Sequence, residues 1–347
     1  MMYVIDASCI SPQKEEGIFS DNIREYNSDK YHSIEPSYSD FIPNSILRRM
    51  GKGVKLGVAN GLPLLKKHSD IKAIIIATSS NGLTDSSKFL DQLIKYDEGT
   101  LTPTNFVQSM PNSLAGQLAL LSDNPCYNTT HVHTGNAFEN TLVDGLLQLK
   151  QNNIDKILIG DVEEIADYNY RLDIKRNKFK SEPISNKDLI KSGTKGTVSG
   201  EGSSMFVLSN KVEGAIAKIV DVRSLFKAPK SVLKEQCLDF LSVNNVNINE
   251  IDLLVLGYNG NQEEDHHYDF FADLFPSATT ISYKHLVGEY STSTAFAMYL
   301  SIGLLSGKNL ANNLILKDAK RSVKKVLIYN QYQHLHHNFI LLEQSID

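Results

Sequence analysis

The sequence predicts an α/β fold, because short apolar runs alternate with longer segments in which apolar residues recur at the helical period. The apolar runs contain few polar side chains and are bounded by glycine or polar residues, as expected for strands buried on both faces. The order strand, helix, strand is typical of crossover connections. A chain of 347 residues with 41% hydrophobic residues is long enough to bury a large core.

The individual elements follow from the same patterns. Strands are predicted at residues 3–6, 73–77, 156–160, 204–208, 252–256, 325–329 and 337–342. Helices are predicted at residues 44–65, 86–95, 113–121, 137–151, 231–242 and 291–305. Residues 128–139 are predicted to be a turn that leads into a helix. Residues 177–197 are polar and Lys-rich without periodicity, which indicates a surface excursion.

A weak duplication relates the two halves of the chain. In each half an apolar strand runs into a polar turn that contains glycine, at 78–82 and at 257–261. A helix start rich in small residues then follows, at 134–138 and at 291–297. We therefore expect a single unit over residues 1–347, with an N-terminal half of about 1–210 and a C-terminal half of about 211–347.

Composition excludes several classes of function. A formal net charge of -5 without a concentrated basic face argues against nucleic acid as the main partner. Three widely spaced cysteines without a CxxC pair favour a reducing compartment over a disulfide framework or a structural zinc site. The N-terminus has no secretory signal pattern, and the apolar stretch near 295–305 is too short to span a bilayer. The prediction is a cytoplasmic protein without stable membrane insertion.

The histidine pairs of the sequence are the first candidates for metal or acid–base chemistry. They are His131 with His133, His266 with His267, and His334 with His336 and His337. No ligand cluster with matching Cys, Asp or Glu spacing accompanies them, so neither a metal nor a cofactor is predicted. A Gly-x-Ser-x-Gly elbow, a dinucleotide-binding glycine motif and a P-loop are also absent from the sequence.

Several ordered motifs resemble one family. They are Phe41-Ile-Pro-Asn-Ser-Ile-Leu-Arg-Arg-Met50, Gly200-Glu-Gly-Ser-Ser-Met-Phe-Val-Leu208 and Ile281-Ser-Tyr-Lys-His-Leu-Val-Gly-Glu289. With the shorter matches between them, they span residues 1 to 342 in the correct order. The chain resembles the ketosynthase branch of the thiolase superfamily. The resemblance implies a thiolase-like five-layer αβαβα fold built from two pseudo-repeated halves.

The resemblance also implies which positions would carry chemistry. In ketosynthases a cysteine accepts the acyl chain, two histidines assist decarboxylation and stabilise the enolate, and a lysine holds their geometry. Aligning Gly135 with the family glycine places Val132 at the cysteine, and valine cannot form a thioester. The histidines fall at Asn259 and Glu289, and only the lysine remains, as Lys284. No catalytic residue is therefore expected, and Glu289 is predicted to be a polar plug paired with Lys284.

The loop that gates acyl entry in active ketosynthases corresponds by resemblance to residues 330–338. Its glycines are replaced, and Tyr332 and His334 are its equivalents here. Cys126 is the competing nucleophile, because it lies six residues before Val132. Using it would place Pro125 before the thiol and would leave Gly135 without a role, so a structural cysteine is favoured.

A narrower resemblance concerns Asp40-Phe-Ile-Pro, Leu101-Thr-Pro-Thr-Asn-Phe and Tyr127-Asn-x-Thr-x-Val-His. These segments look like the chain-length factors of aryl polyene and flexirubin-like pigment clusters. Such subunits pair with a Cys-bearing ketosynthase and complete its acyl tunnel. The resemblance implies a heterodimer that meets an acyl carrier protein. Dimer contacts are expected at 113–121 and 129–138.

Particular residues are predicted for these contacts. Phe106, Met110, His133 and Phe138 are candidates for the tunnel or the interface, although plain core packing would equally explain them. Arg48 and Arg49, with Lys52 and Lys55, are candidates for contact with an acidic carrier protein, against the alternative of a solvated helix face.

Two other functions stay open from the sequence. One is a divergent ketosynthase or acyltransferase that uses Cys126 or a histidine as its nucleophile. The other is a homodimeric protein that sequesters acyl chains. The first predicts acylation of the isolated chain by carrier-protein thioesters, whereas a chain-length factor would copurify with a ketosynthase and would not be acylated.

Overall fold

The computed structural model describes residues 2–151 and 154–345. The strands are β1 (Met2–Ile10), β2 (Asn27–Ser28), β3 (Lys30–Tyr31), β4 (Ala73–Thr78), β5 (Tyr127–Val132), β6 (Lys156–Asp161), β7 (Ile184–Ser185), β8 (Ser199–Gly200), β9 (Ser203–Ser209), β10 (Ala217–Phe226), β11 (Leu253–Leu256), β12 (Thr279–Ser282), β13 (Ile315–Lys317), β14 (Lys325–Tyr332) and β15 (His336–Gln344). The helices are α1 (Glu15–Ile18), α2 (Asn44–Leu47), α3 (Lys52–Lys67), α4 (Leu83–Lys95), α5 (Pro103–Gln108), α6 (Ser113–Leu121), α7 (Ala137–Gln151), α8 (Asp167–Lys175), α9 (Lys230–Val243), α10 (Gln262–Leu274), α11 (Lys284–Val287) and α12 (Thr294–Leu305).

The order of the strands repeats between the two halves. The main ladder runs β13-β12-β11-β14-β15-β10-β1-β9-β6-β4-β5. The first half contributes β5-β4-β6-β9-β1, and the second half contributes β12-β11-β14-β15-β10 with β13 added outside. When the five strands of each half are numbered by their order in the sequence, both halves show the same spatial order: third, second, fourth, fifth, first. Antiparallel pairing of β1 with β10, which sets Met2 opposite Ile219, joins the two halves.

The side chains on the two faces of each half belong to different cores. In β4, Ile74 and Ile76 pack outwards with helices α3 and α6, whereas Ile75 and Ala77 pack inwards. The alternation follows from the two-residue period of a strand. In the second half, Leu327 packs outwards with α9 and α10.

Each half's part of the main ladder is called a sheet here: the first sheet is β5-β4-β6-β9-β1 and the second is β12-β11-β14-β15-β10. Helices α7 and α12 form the central layer between these two sheets. Phe138 of α7 and all twelve residues of α12 are buried there. The layers are therefore α3 and α6, the first sheet, α7 and α12, the second sheet, and α9 and α10. This arrangement is the predicted five-layer αβαβα fold.

Two sequence-based assignments of secondary structure were wrong, and strands β10 and β12 were not predicted at all. The helix predicted at 44–65 is divided into α2 and α3, because residues 48–51 leave the helix and Gly51 lies close to the Asp85 carboxylate. The turn predicted over 128–139 contains strand β5, whose polar side chains fit an edge strand hydrogen-bonded only to β4 on one side. Strand β10 has no continuous apolar run, because it alternates buried with half-buried residues at its start.

The excursion predicted at 177–197 is irregular, as expected, but it is not confined to the surface. Lys180, Asn186 and Leu189 are buried within it. The Lys180 ammonium donates to the carbonyl oxygens of Gly196 and Gly260, which satisfies its burial. Over residues 2–151 and 154–345, no helix combines the length and the apolar character needed to cross a membrane.

Candidate functional site

A cavity of about 290 Å³ opens at the carboxyl ends of β4 and β6. Ligands of α/β proteins commonly bind where the loops after parallel strands meet. The turn after β4, the segment after β6 and helix α8 form one side of this cavity, and the second half of the chain contributes Glu289, Tyr290 and Ser291. The cavity therefore lies between the two halves.

A buried ion pair lies at the wall of this cavity. The Lys284 ammonium donates to Glu289 Oε2 over 2.7 Å, and the Asn259 amide donates to the same oxygen over 2.7 Å. The Lys284 side chain is 0% exposed. The contact predicted between Lys284 and Glu289 is thus present, and Asn259 completes it.

Close backbone packing positions Glu289. Its N–H donates to the Val198 carbonyl, and its own carbonyl accepts from the Gly200 N–H. A Cβ added to Gly200 would lie 1.9 Å from the Val287 carbonyl oxygen. Gly288, just before Glu289, has a φ of 76°, which L side chains rarely adopt. Both glycines are therefore needed for the approach that brings Glu289 to Lys284.

The ion pair is surrounded by further acidic groups. Glu264 Oε2 accepts from the Asn259 amide over 2.9 Å, and the Asp265 carboxylate accepts from two backbone N–H groups. Burial raises the pKa of Asp265 to about 7. Burial also raises the pKa of Glu289, although the positive charge of Lys284 acts to lower it. The local field therefore disfavours additional negative charge.

A second buried carboxyl group, Glu163, lies on the opposite side of the cavity. It accepts from the backbone N–H groups of Ser79 and Ser80 over 2.9 and 2.7 Å, and from the Ser80 hydroxyl. Burial raises its pKa to about 7. The neighbouring Asp161, also fully buried, shares the Thr292 hydroxyl with it.

Val132 lies apart from the Lys284 cluster. It is the last residue of β5, its side chain is 54% exposed, and it does not line the cavity. Thr134 lines the cavity instead. Gly135 packs against His336, and its carbonyl accepts from the Asn338 amide over 2.7 Å. The structure therefore brings together Asn259, Lys284 and Glu289, and leaves Val132 at the edge of the sheet.

The two gating-loop equivalents face different surroundings. Tyr332 is buried, lines the cavity, and has the Lys178 ammonium 5.4 Å from its ring centroid. His334 is exposed in the turn between β14 and β15 and contacts His266 and His267. The turn thus joins the cavity wall to a group of histidines outside it.

Cys126 lies at the other end of its strand. It directly precedes β5, whereas the cavity lies at the carboxyl ends of the parallel strands β4 and β6. Six strand residues separate the two ends by roughly 20 Å. Cys126 lines a separate surface pocket with Ile71 and His68. This thiol therefore does not reach the buried polar groups.

The predicted contact residues divide into exposed and buried groups. Phe106, Met110 and His133 are exposed. Phe138 is fully buried in the central layer with its ring 5.9 Å from that of Phe206, which agrees with the alternative of plain core packing.

The cations predicted to meet a carrier protein also differ in their surroundings. Arg48 and Arg49 are exposed. Lys52 instead pairs with the buried Glu201 over 2.6 Å. Burial alone would raise the pKa of Glu201, but its contacts with His32 and Lys52 lower it to about 2. Lys52 is therefore held by an internal ion pair.

Sequence reasoning missed the buried carboxyl groups Asp161, Glu163 and Asp265. The first two follow the predicted strand at 156–160, so their place at a strand end was the available signal. Among the residues that the structure describes, no three His, Cys, Asp or Glu side chains are placed to hold a metal ion.

The fold and the cavity together define a thiolase-type α/β protein with a buried polar site between two similar halves. The sequence matches the family described as "Beta-ketoacyl synthase, N-terminal domain" over residues 24–211, more than half of the chain. The chain belongs to this beta-ketoacyl synthase family. No curated protein matches the sequence.

Solved structures share the fold across the whole chain. "The ishigamide ketosynthase/chain length factor" superposes with a TM-score of 0.82 at 13% identity, over 99% of this chain and 98% of that one. A beta-ketoacyl synthase from Burkholderia phymatum STM815 gives 0.81 at 13% identity, over 99% of both chains. A chain from the complex of the ketosynthase ApeO with its chain length factor ApeC, from Xenorhabdus doucetiae, gives 0.74 at 12% identity, over 99% and 98%.

Proposed function

We propose that this chain is a non-catalytic, chain-length-factor-type subunit that pairs with a Cys-bearing ketosynthase and works with an acyl carrier protein. By its narrower resemblance, the product would be an aryl polyene or flexirubin-like pigment chain. In this proposal the chain extends over residues 1–347 as one unit, with its halves dividing near residue 210, and acts in the cytoplasm.

The observation that carries the proposal is the Lys284–Glu289–Asn259 cluster. The family resemblance assigns Asn259 and Glu289 to the positions of the two catalytic histidines. Decarboxylative condensation needs hydrogen-bond donors aimed at the oxygen on which negative charge develops. A buried carboxyl group that already accepts from Lys284 and Asn259 presents oxygen acceptors there instead. Among the described residues that line the cavity none is a cysteine, so a thiol that could accept an acyl chain is not found there.

An exposed apolar face supports the pairing with a ketosynthase. Strand β5 is one of the two edge strands of the main sheet, with β13 at the other end, and it contains neither lysine nor proline, the residues that commonly protect such an edge. Around it lie Leu120 of α6, 76% exposed, and Val143 and Leu147 of α7, 45% and 44% exposed. Patches of this kind mark protein interaction sites.

Two further exposed apolar residues are the ones proposed to shape the acyl tunnel. Phe106 and Met110 are exposed on and just after α5, and the Phe106 ring packs 5.3 Å from that of Phe89. In a heterodimer their bulk would border the partner and set how far a growing chain extends. Arg48 and Arg49 are exposed beside the pocket between α2 and α5, where we place the acidic carrier protein.

The test is coexpression of the tagged chain with a ketosynthase encoded beside it, followed by affinity purification and mass spectrometry. The unmodified chain is expected to retain the ketosynthase. Val143→Lys with Leu147→Lys should abolish copurification, because two charges would be buried at the contact. Val243→Lys is the matched control, since Val243 is 58% exposed on α9, far along the ladder from β5, and its replacement should retain the partner.

The same preparation separates the proposal from an enzymatic function. The purified chain is mixed with acyl carrier protein thioesters and its intact mass is measured. No acyl adduct is expected on the unmodified chain or on Cys126→Ala. An adduct that disappears in Cys126→Ala, or a ketosynthase that works without this chain, would overturn the proposal.

A further inference from the structure

Four histidines form a cluster on the outer side of the second half. His266 and His267 lie on α10, His334 lies in the β14–β15 turn, and His337 lies on β15. The ring centroids are 4.2 Å apart for His266 and His267, 5.3 Å for His267 and His334, and 5.5 Å for His267 and His337. These four residues are called the histidine latch below.

No described carboxylate forms an ion pair with the latch. The charged and titratable groups facing it are Lys230 of α9, Glu263 and Asp269 of α10, Tyr329 of β14 and His336 of β15. Glu263 pairs with Lys195, and Asp269 accepts from the Tyr258 hydroxyl. The Lys230 ammonium lies 3.4 Å from the His266 carbonyl oxygen and adds positive charge. A proton on any latch imidazole would therefore meet other cations and no paired anion.

The imidazole nitrogens support a neutral latch. The His337 ring is fully buried, and its Nδ1 lies 2.9 Å from the Tyr329 hydroxyl. In the described part of the chain, His337 Nε2 and His267 Nδ1 are buried without a hydrogen-bond partner. A protonated imidazole has two N–H donors, and a buried donor without an acceptor is costly. The closed arrangement thus favours the uncharged rings.

The turn that carries His334 is strained and adjoins the cavity. Gln333 and His334 have φ values of 53° and 57°, a left-handed conformation that costs energy for residues other than glycine. The turn is held by the histidine contacts, by the His334 N–H, which donates to Gln331 Oε1 over 2.8 Å, and by the Lys227 N–H, which donates to the Leu335 carbonyl over 2.7 Å. Tyr332 and Gln333, the residues just before His334, line the cavity.

We propose that the histidine latch holds the β14–β15 turn closed while its imidazoles are neutral, and that acidification releases the turn and opens the wall of the adjacent cavity. The repulsion between charged rings would separate the turn from α10, and the left-handed residues would then relax. This inference does not depend on the proposed function, because it rests only on the turn, α10 and the cavity.

The direction of the proton linkage agrees with the geometry. Burial, with the neighbouring histidines, lowers the pKa of His267 to about 3, and burial lowers the pKa of His337 to about 4. An opened turn would restore a histidine pKa of about 6.5. Protons then bind more tightly to the open form between about pH 4 and 6.5. At pH 5, His337 alone would raise the ratio of open to closed turn roughly 30-fold relative to neutral pH.

Hydrogen exchange of the full chain between pH 7.5 and pH 5 tests the latch. After correction for the intrinsic pH dependence of exchange, peptides covering residues 330–338 should exchange at least ten-fold faster at pH 5. Peptides covering β4 serve as an internal reference and should stay protected. Loss of protection in both regions together would indicate global acid unfolding and would overturn the proposal.

Two variants assign the response to the latch. His267→Gln removes one of the two buried imidazoles that take up protons when the turn opens, and should reduce the acid response several-fold. Combined with His337→Gln, it should remove most of the response. His131→Asn is the matched control and should respond as the unmodified chain does, because His131 pairs with Asp144 outside the latch. An unchanged response in His267→Gln and in the double variant would contradict the proposal.

Discussion

The Lys284–Glu289 pair is a buried ion pair at the wall of the cavity. Both side chains are almost fully removed from water, so each charge depends on the other and on Asn259. Breaking a buried pair leaves one uncompensated charge, which costs more than removing both charges together. The contact among Lys284, Glu289 and Asn259 therefore holds the loop after β11, which contains Asn259, against the segment after α11, which contains Glu289.

Single substitutions of the pair should destabilise the protein more than the double substitution. Lys284→Met and Glu289→Gln are each expected to lower the free energy of unfolding by about 3 kcal/mol, because the remaining partner is left buried and unpaired. The double variant should recover part of this loss. Urea denaturation of the four proteins measures the coupling. Strictly additive losses would show that the two side chains do not act as a pair.

At the scale of elements, the approach of β8 to the end of α11 determines where Glu289 lies. Gly200 and Gly288 lie so close that a Cβ on either would meet the backbone of the other segment within 3 Å. Gly200, the first glycine of the Gly-Glu-Gly motif, thus permits a tight approach to the backbone of Val287 and Gly288.

Gly200→Ala should therefore cost several kcal/mol, because its Cβ would overlap a backbone carbonyl that has no free direction in which to move. Gly116→Ala is the control, since nothing lies within 4 Å of its added Cβ in α6. Replacing glycine by alanine inside a helix should stabilise the chain by up to about 1 kcal/mol. Thermal unfolding of both variants gives the comparison, and similar melting temperatures would refute the packing argument.

The sequence predicted the apolar strands of both halves because burial on two faces leaves a local signature. It missed β5 and β10, whose polar or half-buried residues reflect an edge position and partial exposure rather than intrinsic pattern. The boundary of the halves near residue 210 stays a prediction, although the repeated strand order agrees with a division of that kind.

At the scale of the whole molecule, buried carboxyl groups link the stability of the central layer to pH. Glu139 lies in the first turn of α7, buried, and in the described structure its Oε1 has no hydrogen-bond partner. Burial raises its pKa to about 7, against an ordinary value of 4.5. The folded state therefore binds this proton more tightly than the unfolded state. The stabilisation of the folded state by the protonated Glu139 is complete below about pH 4.5 and is lost as the pH rises through about 7.

Glu139→Gln should remove the loss of stability at high pH, because glutamine resembles the protonated acid and does not ionise. At pH 8 the variant should be more stable than the unmodified chain by up to about 3 kcal/mol, and at pH 4.5 the difference should vanish. Chemical denaturation at the two pH values measures it.

Glu201→Gln is the opposite control for this prediction. The pKa of Glu201 is lowered to about 2, so the carboxylate stabilises the fold above pH 4.5 through Lys52, and its replacement should destabilise the protein at pH 8. Equal effects of Glu139→Gln at both pH values would contradict the linkage.

The sequence by itself determined the α/β class, the resemblance to ketosynthases, and the residue types at Asn259, Lys284 and Glu289. These depend on local periodicity and on motifs read along the chain. Only the tertiary structure decided that these three side chains share one buried contact, that Val132 stays at the sheet edge, and that histidines from α10, the β14–β15 turn and β15 meet. The physical reason is that the pattern of apolar and polar residues along a strand indicates whether the strand is buried. The order of the strands in the sheet, in contrast, determines which strand ends and turns lie together.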